Sequence, residues 1–167
     1  KQLYFDAWRR TEGFLRAHIY VVNADGTWPQ DLGPGAMPNV NAKGPESIAT
    51  HYYANRQGVW LGIANGVLVE ENGGSPRWHP HESKLAYVKW SGGIAMREVN
   101  GVALGAEEMI VPAELQPYVG FAWSPDAKAI AFHSMRKGGN EAELLIYNIA
   151  DRKSEAQVKA TGRIGWM

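Results

Sequence analysis

The sequence has no cysteine. That excludes disulfides and thiolate metal sites, so packing and hydrogen bonds must hold the chain together. No apolar run approaches the ~20 residues that a membrane-spanning helix needs. Net charge is missing too: 17 Lys and Arg are balanced by 17 Asp and Glu. Bulk binding of nucleic acid needs a net basic footprint, which this balance argues against. Helical periodicity is lacking, and Ala113–Gln116 is long enough for one turn at most. There is no Gly-x-Ser-x-Gly elbow, Walker loop or dinucleotide fingerprint, and the glycine-rich Asn72-Gly73-Gly74 leads into a strand pattern rather than a helix. No catalytic constellation and no cofactor are therefore expected. The first residue is Lys, so the sequence says nothing about a leader, and the compartment stays open.

What is plentiful is turn formers and aromatics: 19 Gly, 9 Pro, 7 Trp and 7 Tyr in 167 residues. The length suits one domain with a sizeable core. The stretch from Val119 to Arg152 organises the rest. Val119–Ser124, Ala129–Ser134 and Glu143–Ile149 read as three short strands, and Ser154–Ala160 as a weaker fourth. Ser124-Pro125-Asp126-Ala127 is turn chemistry, because Pro125 sets φ and Asp126 can bond back to the backbone. Four strands joined by hairpins make one blade.

The pattern recurs over Ser75–Val111. Trp78 matches Trp123, Pro80 matches Pro125, His81 stands where Asp126 does, and Leu85-Ala86-Tyr87 matches Ile130-Ala131-Phe132. A looser copy covers Pro38–Gly74, where the Asn41-Ala42-Lys43-Gly44 turn has no proline. A fourth copy is split: Lys1–Phe5 matches Lys128–Phe132, a second strand, and Arg163–Met167 matches Phe121–Ser124, a first strand. Repeats of roughly 35–50 residues with this strand count point to a propeller. Hairpin turns follow each third strand at Asp25-Gly26, Asn65-Gly66, Asn100-Gly101 and Asp151-Arg152, the last without glycine.

The run WSPDAKAIAF resembles the Trp-Ser-Pro-Asp-Gly-Lys-x-Ile-Ala-Phe signature of TolB-like, WD40-like (PD40) propeller repeats, and HIYVVNADGTWPQDL resembles their third strand, Asp-Gly turn and fourth strand. The clear matches cover His18–Leu32, Ser75–Tyr87 and Val119–Ile149. Ala127 stands where the family has glycine, and His79-Pro80-His81-Glu82-Ser83 replaces Ser-Pro-Asp-Gly-Lys in one copy. The expected fold is all-β: a single four-bladed propeller of four-stranded antiparallel blades over 1–167. Its blades are about 1–32 plus 161–167, 37–71, 75–111 and 118–160, and the C-terminal strand joins the N-terminal blade to close the ring. The alternatives are part of a larger ring, or two copies forming one. That makes the chain a monomer, or a homodimer if the ring is incomplete.

Further strands are expected at Lys1–Trp8, His18–Asn23, Thr27–Leu32, Val59–Ala64, Ile94–Val99 and Ala106–Val111. Inter-blade linkers are expected at Gly33–Pro38, Asn72–Pro76 and Pro112–Tyr118.

Chemistry-bearing residues are few. His79 and His81 put two imidazoles two residues apart, a donor pair that suits zinc, copper, nickel or iron. A metal needs further ligands that the sequence does not place, so they are weak candidates beside the reading that they fill the Ser and Asp places of a turn. His51 and His133 share one second-strand position in two repeats, where core or surface histidines are expected. Glu70-Glu71 and Glu107-Glu108 read as solvated faces of outer strands. Trp78, Trp123 and Trp166 are expected to pack between blades, whereas Trp8, Trp28, Trp60 and Trp90 lie nearer loops or outer strands.

Loops from second to third strand and from fourth to first emerge on one rim. They carry Arg9, Arg10, Arg16, Arg56, Arg136, Lys137 and Arg163, with Arg77 close by and few acids. A guanidinium fork matches a carboxylate bidentately. Arg9, Arg10, Arg56, Arg77, Arg136, Lys137 and Arg163 are therefore the expected ligand-binding set, against the plainer reading of a solvated rim. The resemblance implies a periplasmic or secreted scaffold that holds protein partners, with the cytoplasm left open. The expected function is a non-enzymatic scaffold for a protein or acidic partner. The second reading is a carbohydrate-binding or carbohydrate-active propeller, metal-assisted if His79 and His81 hold an ion, and the third is part of a larger propeller protein.

Overall fold

The computed structural model describes residues 1–41, 47–52, 56–63, 66–135 and 142–159. Among them the chain forms fifteen strands in four antiparallel sheets and no α-helix. The first sheet holds β1 (Gln2–Ala7), β2 (His18–Asn23) and β3 (Gln30–Pro34). The second holds β4 (Ala36–Val40), β5 (Ile48–Tyr52), β6 (Gly58–Leu61) and β7 (Val67–Glu70). The third holds β8 (Gly73–Trp78), β9 (Lys84–Lys89), β10 (Ile94–Asn100) and β11 (Ala103–Val111), and the fourth β12 (Pro117–Trp123), β13 (Ala129–Ser134), β14 (Glu143–Asn148) and β15 (Lys153–Lys159). Every strand pairs with its neighbour in sequence, so each sheet is a meander built from local hairpins. The chain divides into two compact units, Lys1–Pro76 and Arg77–Met167.

Burial follows position in the sheet. The second strands β5, β9 and β13 are buried on both faces, with β5 buried at every residue. Their sequences, IATHY, KLAYVK and AIAFHS, are near-continuous apolar runs with small alanines, as a strand covered on both sides requires. The outer strands β3 and β11 alternate poorly and face solvent over most of their length. In the second unit, Ala86 and Val88 of β9, Ile94, Phe121, Ile130, Phe132, Leu145 and Tyr147 form one apolar cluster. In the first unit, Ile19, Ala36, Ile48, Ala49 and Val59 are fully buried.

The turns explain the boundaries. Between β12 and β13, Ser124 Oγ donates to Asp126 Oδ1 (2.6 Å) and accepts from the Ala129 amide (2.9 Å), while Asp126 Oδ1 also accepts from the Lys128 amide (3.1 Å). That is the back-bonding expected of Asp126. Ala127, standing where a glycine resembles the family better, adopts φ +59°. Between β2 and β3, Asp25 Oδ1 accepts from the Thr27 amide (2.9 Å) and hydroxyl (2.7 Å). Trp28 then takes φ +55°, which is not a strand conformation. The strand expected from Thr27 therefore starts only at Gln30.

Two expected linkers are strands instead. Gly33–Pro38 is divided between β3 and β4, and Asn72–Pro76 lies mostly within β8. Gly35 alone separates β3 from β4, at φ +153°, and its amide donates to the Ala17 carbonyl (2.9 Å). A Cβ there would sit 2.8 Å from Ile19 Cδ1, so only glycine lets the chain pass so close. The segment 160–167, on which the closing strand was expected, lies outside the described residues, as do 42–46 of the unusual turn. No helix among the described residues is long and apolar enough to cross a membrane.

Candidate functional site

In the first unit, three of the arginines expected to bind a ligand lie on hairpin connections. Arg9 and Arg10 are exposed in the loop from β1 to β2. The Arg9 carbonyl accepts from the Glu12 (2.9 Å) and Gly13 (3.2 Å) amides, which tightens that loop ahead of a 3-10 turn at Phe14–Arg16. Arg56 lies on the connection from β5 to β6 and is half-buried. Its guanidinium stacks 4.0 Å from the Trp60 ring and 4.8 Å from the Tyr52 ring. The two rings meet edge to face at 5.9 Å, and Trp60 Nε1 donates to the Gln57 carbonyl (3.2 Å). Aromatic faces hold a cation by their quadrupole, and stacking keeps the planar fork in a fixed attitude. Tyr52 and Trp60 were missed as partners of Arg56. The hairpin register that sets them beside it, with Tyr52 opposite Gly58 and Trp60 opposite Thr50, is not given by composition.

The other basic residues fall differently. Arg77 is half-buried within β8, and burial pulls its guanidinium below the ordinary arginine value. Arg136, Lys137 and Arg163 lie outside the described residues.

His79 and His81 take part in the hydrogen bonding of turns. His79 Nδ1 accepts from the backbone amides of His81 (3.3 Å) and Glu82 (3.0 Å). His81 Nε2 donates to the Pro125 carbonyl (2.8 Å), and the His79 ring meets Trp123 edge-on at 4.9 Å. Each imidazole thus has one nitrogen engaged in turn architecture. Among the described residues no three His, Asp or Glu side chains group as a metal site. Burial lowers the His79 pKa, with Glu82 opposing the effect. His51 and His133 are both buried, in separate units. Burial brings the His51 pKa down to about 4. A Cβ on Gly74 would lie 2.8 Å from His51 Cε1, so the imidazole occupies the space a side chain would need.

Glu107 corrects the expectation of a purely solvated pair. Its Oε2 accepts from the Tyr87 hydroxyl (2.7 Å) and its Oε1 from Lys89 Nζ (2.7 Å). Arg97 Nε donates to the Tyr87 oxygen (2.9 Å), and its Nη1 to the Gly105 carbonyl (3.1 Å). The network spans β9, β10 and β11. Burial is the main reason the Tyr87 pKa rises above the ordinary tyrosine value, and Lys89 with Tyr87 holds Glu107 below the ordinary glutamate value against its own desolvation. The buried Ser124 hydroxyl donates to Asp126 within its own turn, and the buried Ser134 hydroxyl donates to the Leu115 carbonyl. Trp78 and Trp123 are buried, Trp8, Trp28 and Trp90 are exposed, Trp60 is half-buried in β6, and Trp166 lies outside the described residues.

No family model and no curated protein matches the chain. A solved structure does: TolB from Acinetobacter baumannii superposes with a TM-score of 0.75 at 15% identity, over 96% of this chain and 41% of TolB. The fold is that of a TolB-like β-propeller. The chain spans about two fifths of TolB's length. An oligogalacturonate lyase in complex with manganese superposes at a TM-score of 0.40 and 12% identity, over 84% of this chain and 33% of the lyase, too distant to bear on the fold or the chemistry.

Proposed function

We propose that this propeller is a non-enzymatic scaffold that holds a protein or other carboxylate-bearing partner on its arginine-carrying hairpin loops. The observation that carries the reading is the Arg56 guanidinium stacked on Trp60 and Tyr52 in the β5–β6 connection. Arg9 and Arg10, exposed in the β1–β2 loop, join it because the sequence repeat aligns β1 with the second strands. Arg136 and Lys137 follow by sequence register, and Arg77 and Arg163 complete the basic set. A stacked, rigid guanidinium binds a carboxylate with less entropy lost than a free one. The resemblance to TolB supports a protein partner and a periplasmic or secreted location. The reading retains four blades in one ring, with Arg163–Met167 adding to the sheet of β1. That sheet counts three strands among the described residues where each of the others counts four.

The Arg56–Trp60–Tyr52 stack also favours a second reading, an acidic sugar laid on the aromatic platform. Fluorescence titration separates the two. A glutamate-rich peptide, a glutamine-rich peptide of equal length and a uronic-acid oligosaccharide are each added to the native protein at low salt and at about 0.5 M salt, where charge contacts are screened to a few ångströms. Binding of the glutamate peptide alone, weakened by salt, supports the scaffold. Binding of the oligosaccharide alone transfers the site to the second reading, and equal binding of both peptides overturns the carboxylate claim.

A further inference from the structure

In the second unit, two histidines on one turn tie together two hairpins that are 44 residues apart in sequence. The turn between β8 and β9 is closed at its base by the His79 amide donating to the Lys84 carbonyl (2.8 Å). Inside it, His79 Nδ1 is the acceptor for two amides, those of His81 and Glu82. An imidazole nitrogen accepts only through its lone pair, so Nδ1 must be unprotonated and the ring proton must sit on Nε2. Two residues further on, His81 reaches across to the β12–β13 turn and donates from Nε2 to the Pro125 carbonyl. The equivalent turn after β12 uses Ser124 and Asp126 for the same closure, and neither group loses its acceptor near neutral pH.

We propose that the 79–82 turn is an acid-released latch: a proton taken from solvent onto His79 Nδ1 removes the acceptor for two amides, opens the turn and withdraws His81 from the Pro125 carbonyl. The charged groups acting on the His79 ring are on its own hairpin. Glu82 favours the imidazolium, Lys84 and His81 oppose it, and Glu82 is itself paired with Lys84. The β12–β13 hairpin presents the uncharged Trp123 indole to the ring, and Asp126 on that turn is engaged with Ser124 and Lys128. No carboxylate is therefore hydrogen-bonded to His79 to keep the cation in place once it forms. The β12–β13 turn, which carries Ser124 and Asp126 instead, stays shut under the same conditions, so the release is local to the 79–82 turn.

Amide exchange and imidazole nitrogen shifts, read by NMR between pH 7.5 and 5, test the latch. At pH 7.5 the His79 Nδ1 signal should be that of an unprotonated nitrogen. Protection of the His81 and Glu82 amides, corrected for intrinsic exchange, should fall by about tenfold per pH unit once His79 titrates, while Leu85–Val88 keep theirs. In His79→Asn, whose side-chain oxygen accepts without titrating, that protection should be independent of pH. A protonated Nδ1 at pH 7.5, or unchanged protection of both amides in the native protein down to pH 5, overturns the proposal. An equal acid loss in His79→Asn does so too. If that variant does not fold, the native nitrogen shifts and exchange profile decide alone.

Discussion

Single residues carry identifiable costs in this fold. Arg152 holds φ +53° in a hairpin turn whose counterpart at Gly101 uses glycine at +62°, and Ala127 holds φ +59° in the turn between β12 and β13. A non-glycine residue in that region is strained by roughly 1–2 kcal/mol, less the entropy that glycine adds to the unfolded chain. Ala127→Gly and Arg152→Gly should each stabilise the protein by about 0.5–1 kcal/mol in urea denaturation, and a loss of stability would show that the strain argument fails. His51 is the second residue with a measurable signature. Its folded pKa of about 4 lies below the ordinary 6.5, so the native state prefers the neutral ring. The resulting stability is fully present above pH 6.5 and is lost as the pH falls through 4. The shift is equivalent to about 3 kcal/mol. Urea midpoints measured from pH 7 to pH 4 should fall across that window, and the His51 ring should titrate near 4 by NMR. A midpoint near 6.5 would mean the ring is solvated.

Elements were legible in proportion to how local their determinants are. β2 and β13 were expected with the bounds they have, because an apolar run flanked by turn residues is a short-range signal. β3 was misplaced by three residues because nothing in the sequence announces that Trp28 takes a positive φ. The linkers around Gly35 and Gly73 were read from their glycine and proline content, yet there the glycines serve close backbone approach within or beside strands. The Arg56 stack and the Tyr87–Glu107 network escaped for a related reason: each joins side chains on different strands, and strand register is invisible to composition. The network across β9, β10 and β11 should matter for that sheet. Tyr87→Phe removes one bond from Arg97 and one from Glu107, and should cost about 1–3 kcal/mol, the range for a hydrogen bond to a charged group. In native protein, absorbance titration should leave one tyrosine un-ionised at pH 11.5, and complete ionisation below that pH would contradict the buried network.

For the molecule as a whole, the repeats pointed to an all-β propeller, and the TolB superposition bears on that fold, while function depends on what the loops bind. The fold could be read because a blade motif recurs with the same Trp, Pro and apolar triplet. The site could not be read as fully, since a ligand is recognised by residues that come from separate hairpins and no repeat encodes their chemistry. The central claim is that the arginine-bearing loops hold carboxylates. Its most direct test is the affinity of a glutamate-rich peptide for native protein and for the Arg9→Ala, Arg10→Ala, Arg56→Ala triple variant, with circular dichroism confirming that the variant is folded. Losing three charge-assisted contacts should weaken binding by at least about tenfold, each being worth roughly 0.5–1 kcal/mol at an exposed site. Equal affinity for the two proteins would contradict the account.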